Sequence, residues 1–244
     1  MHGIAAAGGP FGPPQPIARD AGGLHTALGY WHHEDKYKNG ADFIMRQDQL
    51  YSEAGYGAHN IWDIYGRIGV STLKIQDAFS SSSAQTTTGK TDFDENPKFF
   101  GTLGGKVFYP FNKTFGVGAF VQGTYHFNAY KDDVSGTSGG VPYRAVLSVE
   151  DLWDANFGIG FQATLPYSVR VYAGPYAYYS EAKATLSANV TGLPFSTADT
   201  TIKNSTNVGG FAGIDLPLGK GFRFNAEGQY AERFSAGGAI TFTY

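Results

Sequence analysis

The sequence has no cysteine in 244 residues and only two methionines. Without thiols there is no disulfide framework, no thiolate metal site and no cysteine nucleophile. No apolar run approaches the eighteen or so residues of a spanning helix, although this leaves a barrel untouched, because barrel strands are short and only half apolar. A charge excess is missing too: 18 Lys and Arg against 21 Asp and Glu leave a net charge of -3. No cationic cluster is interleaved with aromatics, so nucleic acid is not an expected partner. Glycine and aromatics are abundant instead. Thirty-four Gly, with 16% aromatic and 16% charged residues, fit many short strands joined by polar loops. Length alone leaves open one large all-β domain or two small ones.

The last stretch, Phe234 to Tyr244, places Phe234, Ala236, Gly238, Ile240, Phe242 and Tyr244 on one register and Ser235, Gly237, Ala239, Thr241 and Thr243 on the other. That period of two suits a strand with different surroundings on its two faces. The same alternation marks ten windows, at about 22–33, 49–56, 62–71, 99–109, 115–128, 155–165, 169–178, 207–216, 222–230 and 234–244. Pro175 interrupts the seventh, where a lost ladder donor predicts a bulge. No Asp, Glu, Lys or Arg falls on the apolar register inside any window. In lipid such a Lys or Arg would cost about 2–4 kcal/mol at mid-depth.

Short and long connections alternate. Tight turns are expected near His59, Asn112, Tyr167 and Gly219, and long polar segments at about 35–46, 75–96, 131–146 and 184–204. Apolar parity is kept across each short turn, which requires an odd number of loop residues. Aromatics gather at the short-turn ends: Tyr56, Trp62, Tyr109, Phe115, Tyr167, Phe222, Phe242 and Tyr244. They read as an interfacial girdle. A soluble up-and-down barrel of lipocalin type has the same alternation turned inside out. The girdle, the loop asymmetry, the terminal aromatic and the even strand count favour lipid outside.

A chain ending on an aromatic strand in this way resembles bacterial outer-membrane β-barrels, whose final strand is read by the barrel-assembly machinery. The resemblance implies an all-β, single closed antiparallel transmembrane barrel of ten strands over 21–244. It implies an up-and-down meander with short periplasmic turns, long extracellular loops and both termini periplasmic. It further implies localisation in the bacterial cell outer membrane with a signal peptide removed, and outer-membrane lipid and lipopolysaccharide as surroundings. Residues 1–20, with Pro10, Pro13, Pro14 and Pro16 among Gly and Ala, form a separate Pro/Gly-rich arm. The arm is either a disordered terminus or a segment that folds into the lumen or docks a periplasmic or envelope partner.

The inward register then holds Glu53, Asp63, Arg67, Lys106, His126, Arg170, Asp215, Arg223 and Glu227. Two readings fit these mixed charges: a lattice of ion pairs filling a small barrel, or a narrow polar pore constricted by Arg67, Arg170 and Arg223 opposite carboxylates. Ten strands lie near the closed end of the size range. The leading functional expectation is a porin-like narrow channel for ions or small polar solutes. The alternative is a non-conducting structural or surface-binding barrel of adhesin or scaffold type.

No enzyme, cofactor or metal site is expected. Omptins are ten-stranded outer-membrane proteases of similar architecture, but no facing pair of acids accompanies His32 and His33, which read as a solvated rim. Adjacent strand residues point to opposite faces, making His32-His33 a poor metal site. Ser80 to Ser83 and Thr86 to Thr88 have no base placed by spacing. Gly104-Gly105 and Gly237-Gly238 read as strand glycines, since no helix follows. Asp92, Asp94, Glu95, Asp132 and Asp133 are read as solvated loop acids, or as ligands for divalent cations bridging lipopolysaccharide.

Overall fold

The two registers of the last strand meet different surroundings: Phe234 and Tyr244 are exposed, while Ser235 and Thr241 are buried. The computed structural model describes residues 10–16, 22–39, 41–80, 84–86, 89–138, 140–190, 193–196, 199–204, 207–231 and 233–244. All ten expected windows are strands of one antiparallel sheet. They are β1 (Gly23–Asn39), β2 (Ala41–Ala58), β3 (Trp62–Ile75), β4 (Phe93–Pro110), β5 (Phe115–His126), β6 (Val141–Thr164), β7 (Arg170–Val190), β8 (Asn207–Gly219), β9 (Phe222–Tyr230) and β10 (Phe234–Thr243). Each pairs with the next, and β10 pairs with β1 from His25↔Thr243 to His32↔Ala236. Closure removes the sticky edge that an open sheet would present.

The outward register carries bulk hydrocarbon. Leu103 is 74% exposed and Leu28 67%, whereas Gln49, Gln122 and Gln229 on the inward register are each 1% exposed. Large apolar side chains outside and amides inside invert a soluble barrel, and only a lipid surround makes that arrangement stable. A charge at mid-depth tests it. Leu103→Lys is expected to destabilise the barrel by about 2–4 kcal/mol in urea unfolding from bilayers. A change within the ±0.5 kcal/mol usual for water-exposed sites would contradict the lipid assignment.

The short turns have the expected parity. Three residues separate the Ala58↔Trp62 pair, and five separate both Pro110↔Gly116 and Thr164↔Arg170. The fourth departs: Gly219↔Phe222 leaves two residues, and a bulge between Pro217 and Gly219 restores the face. Gly219, Lys220 and Gly221 all have positive φ there, a conformation that favours glycine at its ends. At Pro175 no bulge forms. The register against β8 runs unshifted through Gly210↔Pro175, while pairing with β6 lapses between Gly158↔Tyr176 and Phe161↔Ala173 and resumes in step. The missing N–H is accommodated by an omitted rung rather than an extra residue.

The four long segments are not simple loops, because alternation continues past the membrane. β1 and β2 form one hairpin through Asn39↔Ala41. The strand Tyr130–Ser138 folds onto the first part of β6 and carries Ala84–Thr86 on its edge. Leu193–Ser196 and Thr200–Lys203 fold onto β7. Inward side chains of these extensions, including Tyr37, Met45, Leu73, Ile75, Phe93, Tyr130, Val149 and Ile202, join one buried apolar cluster. Bulges at Ser71/Leu73 and Glu150/Trp153 bend strands where they leave the barrel rim. Ser81–Ser83, Thr87 and Thr88 lie outside the described residues.

Candidate functional site in the lumen

Closure brings the inward register to one axis, and the charges expected there are all buried or nearly so. They divide by height. Near the short turns Asp63 stands opposite Lys106 and Arg170 opposite Asp215, and Arg223 forms an ion pair with Asp215. Arg223 Nη2 also donates to the Ser168 carbonyl at 2.8 Å. At mid-height Arg67 Nε donates to Glu53 Oε2 at 2.6 Å, and its guanidinium lies 4.8 Å from the Tyr65 ring centroid and 5.0 Å from that of Tyr51. His126 is higher, with Nδ1 2.9 Å from the Tyr130 hydroxyl beneath the apolar cluster. Ion pairs thus join four of the nine, Glu53 with Arg67 and Asp215 with Arg223, the arrangement that buried charge requires.

The lattice has an occupant. Residues 10–16 of the arm lie inside the barrel, and Phe11 is fully buried. Its ring stacks on Phe120 at 4.0 Å between centroids and meets Tyr176 and Phe211 edge-on at 5.2 Å each. Glu227 accepts the backbone N–H groups of Phe11 and Gly12, both at 2.9 Å. The same carboxylate accepts from the Tyr172 hydroxyl at 3.0 Å and the Gln229 amide at 2.9 Å. Arg67 Nη2 donates to the Pro10 carbonyl at 2.8 Å, and Gln15 and Gln162 bond reciprocally. Of the two expectations for the arm, these residues take the lumen. Residues 1–9 and 17–20 lie outside the described residues.

Several of these groups are absent from the sequence-derived set. His25 has Nε2 3.4 Å from Glu53 and 3.9 Å from Asp63. Phe120, Tyr176 and Phe211 line the seat of Phe11, Tyr172 stands behind it on Phe211 and Glu227, and Tyr65 donates to Gln122 at 2.8 Å. A signal existed: aromatics on a polar register announce that the lumen has an apolar body to cover. Inward glycines make room for such rings. A Cβ at Gly104 would overlap Tyr65, so the expected strand glycine is required by a ring crossing from the next strand.

All eight girdle aromatics sit at the short-turn end, where Phe222 and Phe242 lie 4.7 Å apart and Tyr56 and Trp62 5.7 Å apart. A second set of aromatics, unforeseen, stands at the other end of the strands: Tyr30, Tyr125, Trp153 and Tyr179. Just above it Tyr30 donates to Asp48, Tyr125 to Asp151 and Tyr179 to Glu181. The Lys183 ammonium beside Asp151 holds that carboxyl below its ordinary pKa. His32 and His33 face opposite ways as expected, but only His32 is at a solvated rim, 2.8 Å from Asp48. His33 is buried against Ser235, because the strand continues inward-facing past the rim. Of the outer acids, Asp94, Glu95, Asp132 and Asp133 are ion-paired with Lys74, Lys98, Lys90 and Arg144. Asp92 accepts the Asp77 N–H. Among the described residues no group of His, Asp and Glu is placed to hold a metal.

No protein-family model matches the chain. No curated protein matches it either. The fold is similar to solved structures. The translocator domain of the autotransporter NalP from Neisseria meningitidis is 12% identical, with 91% of this chain and 88% of that one covered and a TM-score of 0.48. The outer membrane protease OmpT from Escherichia coli is 10% identical, with 91% and 95% covered and a TM-score of 0.44. The KdgM porin in complex with oligogalacturonate is 10% identical, with 89% and 99% covered and a TM-score of 0.31. The chain is a ten-stranded transmembrane barrel. That assignment rests on its own closed ladder and exposed apolar belt.

Proposed function

We propose that the protein is a non-enzymatic barrel of the bacterial outer membrane, with short turns in the periplasm and lipopolysaccharide around the aromatics at its other end. In this reading it is a narrow channel for ions or small polar solutes, closed by its own arm. The observation that carries the reading is the kind of filling found at mid-lumen. The wall there is not sealed by wall-to-wall contacts alone: Glu227, Arg67 and Gln162 take partners from residues 10–15. A seated segment is removable without breaking the ladder. The wall it would uncover carries Glu227, Arg67, Lys106 and Gln162 beside the aromatic seat of Phe11, so one side of it offers polar groups to hydrated solutes.

Planar-bilayer recording tests this. Truncating a buried phenylalanine costs about 3–5 kcal/mol, so Phe11→Ala should raise the open probability at least about 100-fold over the native protein. Equal, absent currents from both correctly assembled proteins would remove the channel reading. A second reading has its own support, since the strand extensions carry an apolar core beyond the belt and build a firm outer platform. A surface-binding barrel then loses attachment to cells or matrix when Tyr130–Ser138 is trimmed, while assembly survives.

A further inference from the structure

We propose that the lumen wall around residues 10–13 is a peptide-recognition site, which the chain's own arm occupies and which a separate segment of the same pattern can take from the short-turn end. The pattern is an aromatic residue followed by glycine and flanked by proline. This deepens the channel reading, although its binding test stands apart from any current.

The contacts read a backbone. Glu227 accepts two consecutive N–H groups, Arg67 donates to the Pro10 carbonyl, and Lys106 Nζ lies 3.4 Å from the Pro13 carbonyl. One side chain is read as well, the Phe11 ring in its box of Phe120, Tyr176 and Phe211. Glycine is specified next. Gly12 has φ +71°, and Lys106 Nζ lies 3.0 Å from where its Cβ would stand. The flanking prolines supply an extended chain with little entropy to lose on binding.

Glu227 explains why the site needs a peptide. Glu53 has Arg67 and Asp215 has Arg223, whereas all four described donors to Glu227 are neutral groups, two of them from the arm. With the arm out, a buried carboxylate loses half of those donors beside an open aromatic box. Water restores the donors but not the ring; a second backbone with the same pattern restores both. The way in is from the short turns, since Gln15 lies against Gln162, two residues before the end of β6.

The test uses full-length Phe11→Ala and Gly12→Pro, which unseat the arm in two independent ways and leave the wall unchanged. A fluorescent peptide reproducing residues 10–16 should bind either variant at least about tenfold more tightly than the native protein, whose own arm competes. Replacing the peptide's phenylalanine by alanine, or adding Glu227→Gln to the variant, should abolish that gain. Equal binding to native and variant proteins, or equal binding of the alanine peptide, overturns the proposal. Peptide binding to a variant that carries no current supports the recognition site and removes the channel instead. Current without peptide binding leaves the channel and overturns the site.

Discussion

Deleting residues 240–244 is expected to abolish assembly, leaving a chain with no heat-modifiable form and no protease-resistant core. β10 is paired on both sides, from Phe222↔Phe242 to Tyr230↔Phe234 with β9 and from His25↔Thr243 to His32↔Ala236 with β1. The deletion removes the rungs at Ile240, Thr241, Phe242 and Thr243, together with the bond from the Tyr244 N–H to the Leu24 carbonyl. Backbone groups so exposed would face hydrocarbon, where each unsatisfied one costs several kcal/mol. A barrel cannot shed half of its closing seam and remain a barrel. Tyr244→Phe keeps the aromatic and every backbone bond, and should assemble normally. Native heat-modifiability from the truncated chain would show that closure does not depend on this strand.

The second large effect is expected at the mid-lumen pair. Glu53→Ala leaves the Arg67 guanidinium buried with the Pro10 carbonyl as its remaining acceptor among the bonds described above. Stranding a buried charge costs about 3–5 kcal/mol, far more than the pair contributes relative to an apolar replacement of similar volume. Glu53→Leu combined with Arg67→Met should therefore recover most of the loss. Urea unfolding of the single and double variants in the same lipid decides it, because the two residues touch and their effects are not additive. A single variant as stable as the native protein would mean that water reaches Arg67 and screens it. The arm would feel the same change, since Arg67 also holds Pro10.

Which features were legible in the amino-acid order follows from the range of the interaction behind them. Facing is a local property: Ser235 and Phe234 differ by one residue, and the pleat sends them to opposite sides. Turn parity is local as well, which is why Ala58↔Trp62 and Thr164↔Arg170 came out as expected. Pro175 misled because a lost donor can be absorbed either by a bulge or by an omitted rung, and the neighbouring strand makes the choice. The long segments misled because Ser, Thr and Gly suggest loops, whereas Tyr37, Phe93, Tyr130 and Ile202 converge from separate segments to cover one another. That convergence depends on strand order around the ring.

By itself the sequence determined the barrel: period-two alternation, an uncharged lipid register, aromatics at the turn ends and a closing strand that stops on Tyr244. It also put the nine expected charges on the inward register, because facing is local, but it missed the buried Asp154 and His25. Only the tertiary structure decided what the lumen contains. Glu227 and Phe11 are 216 residues apart and Gln15 and Gln162 are 147 apart. No periodicity spans such distances; the ring must close before a carboxylate on β9 and an aromatic in the arm can share one axis. The physical reason is that facing follows from one strand's pleat, while pairing across a lumen follows from the stagger of ten strands together.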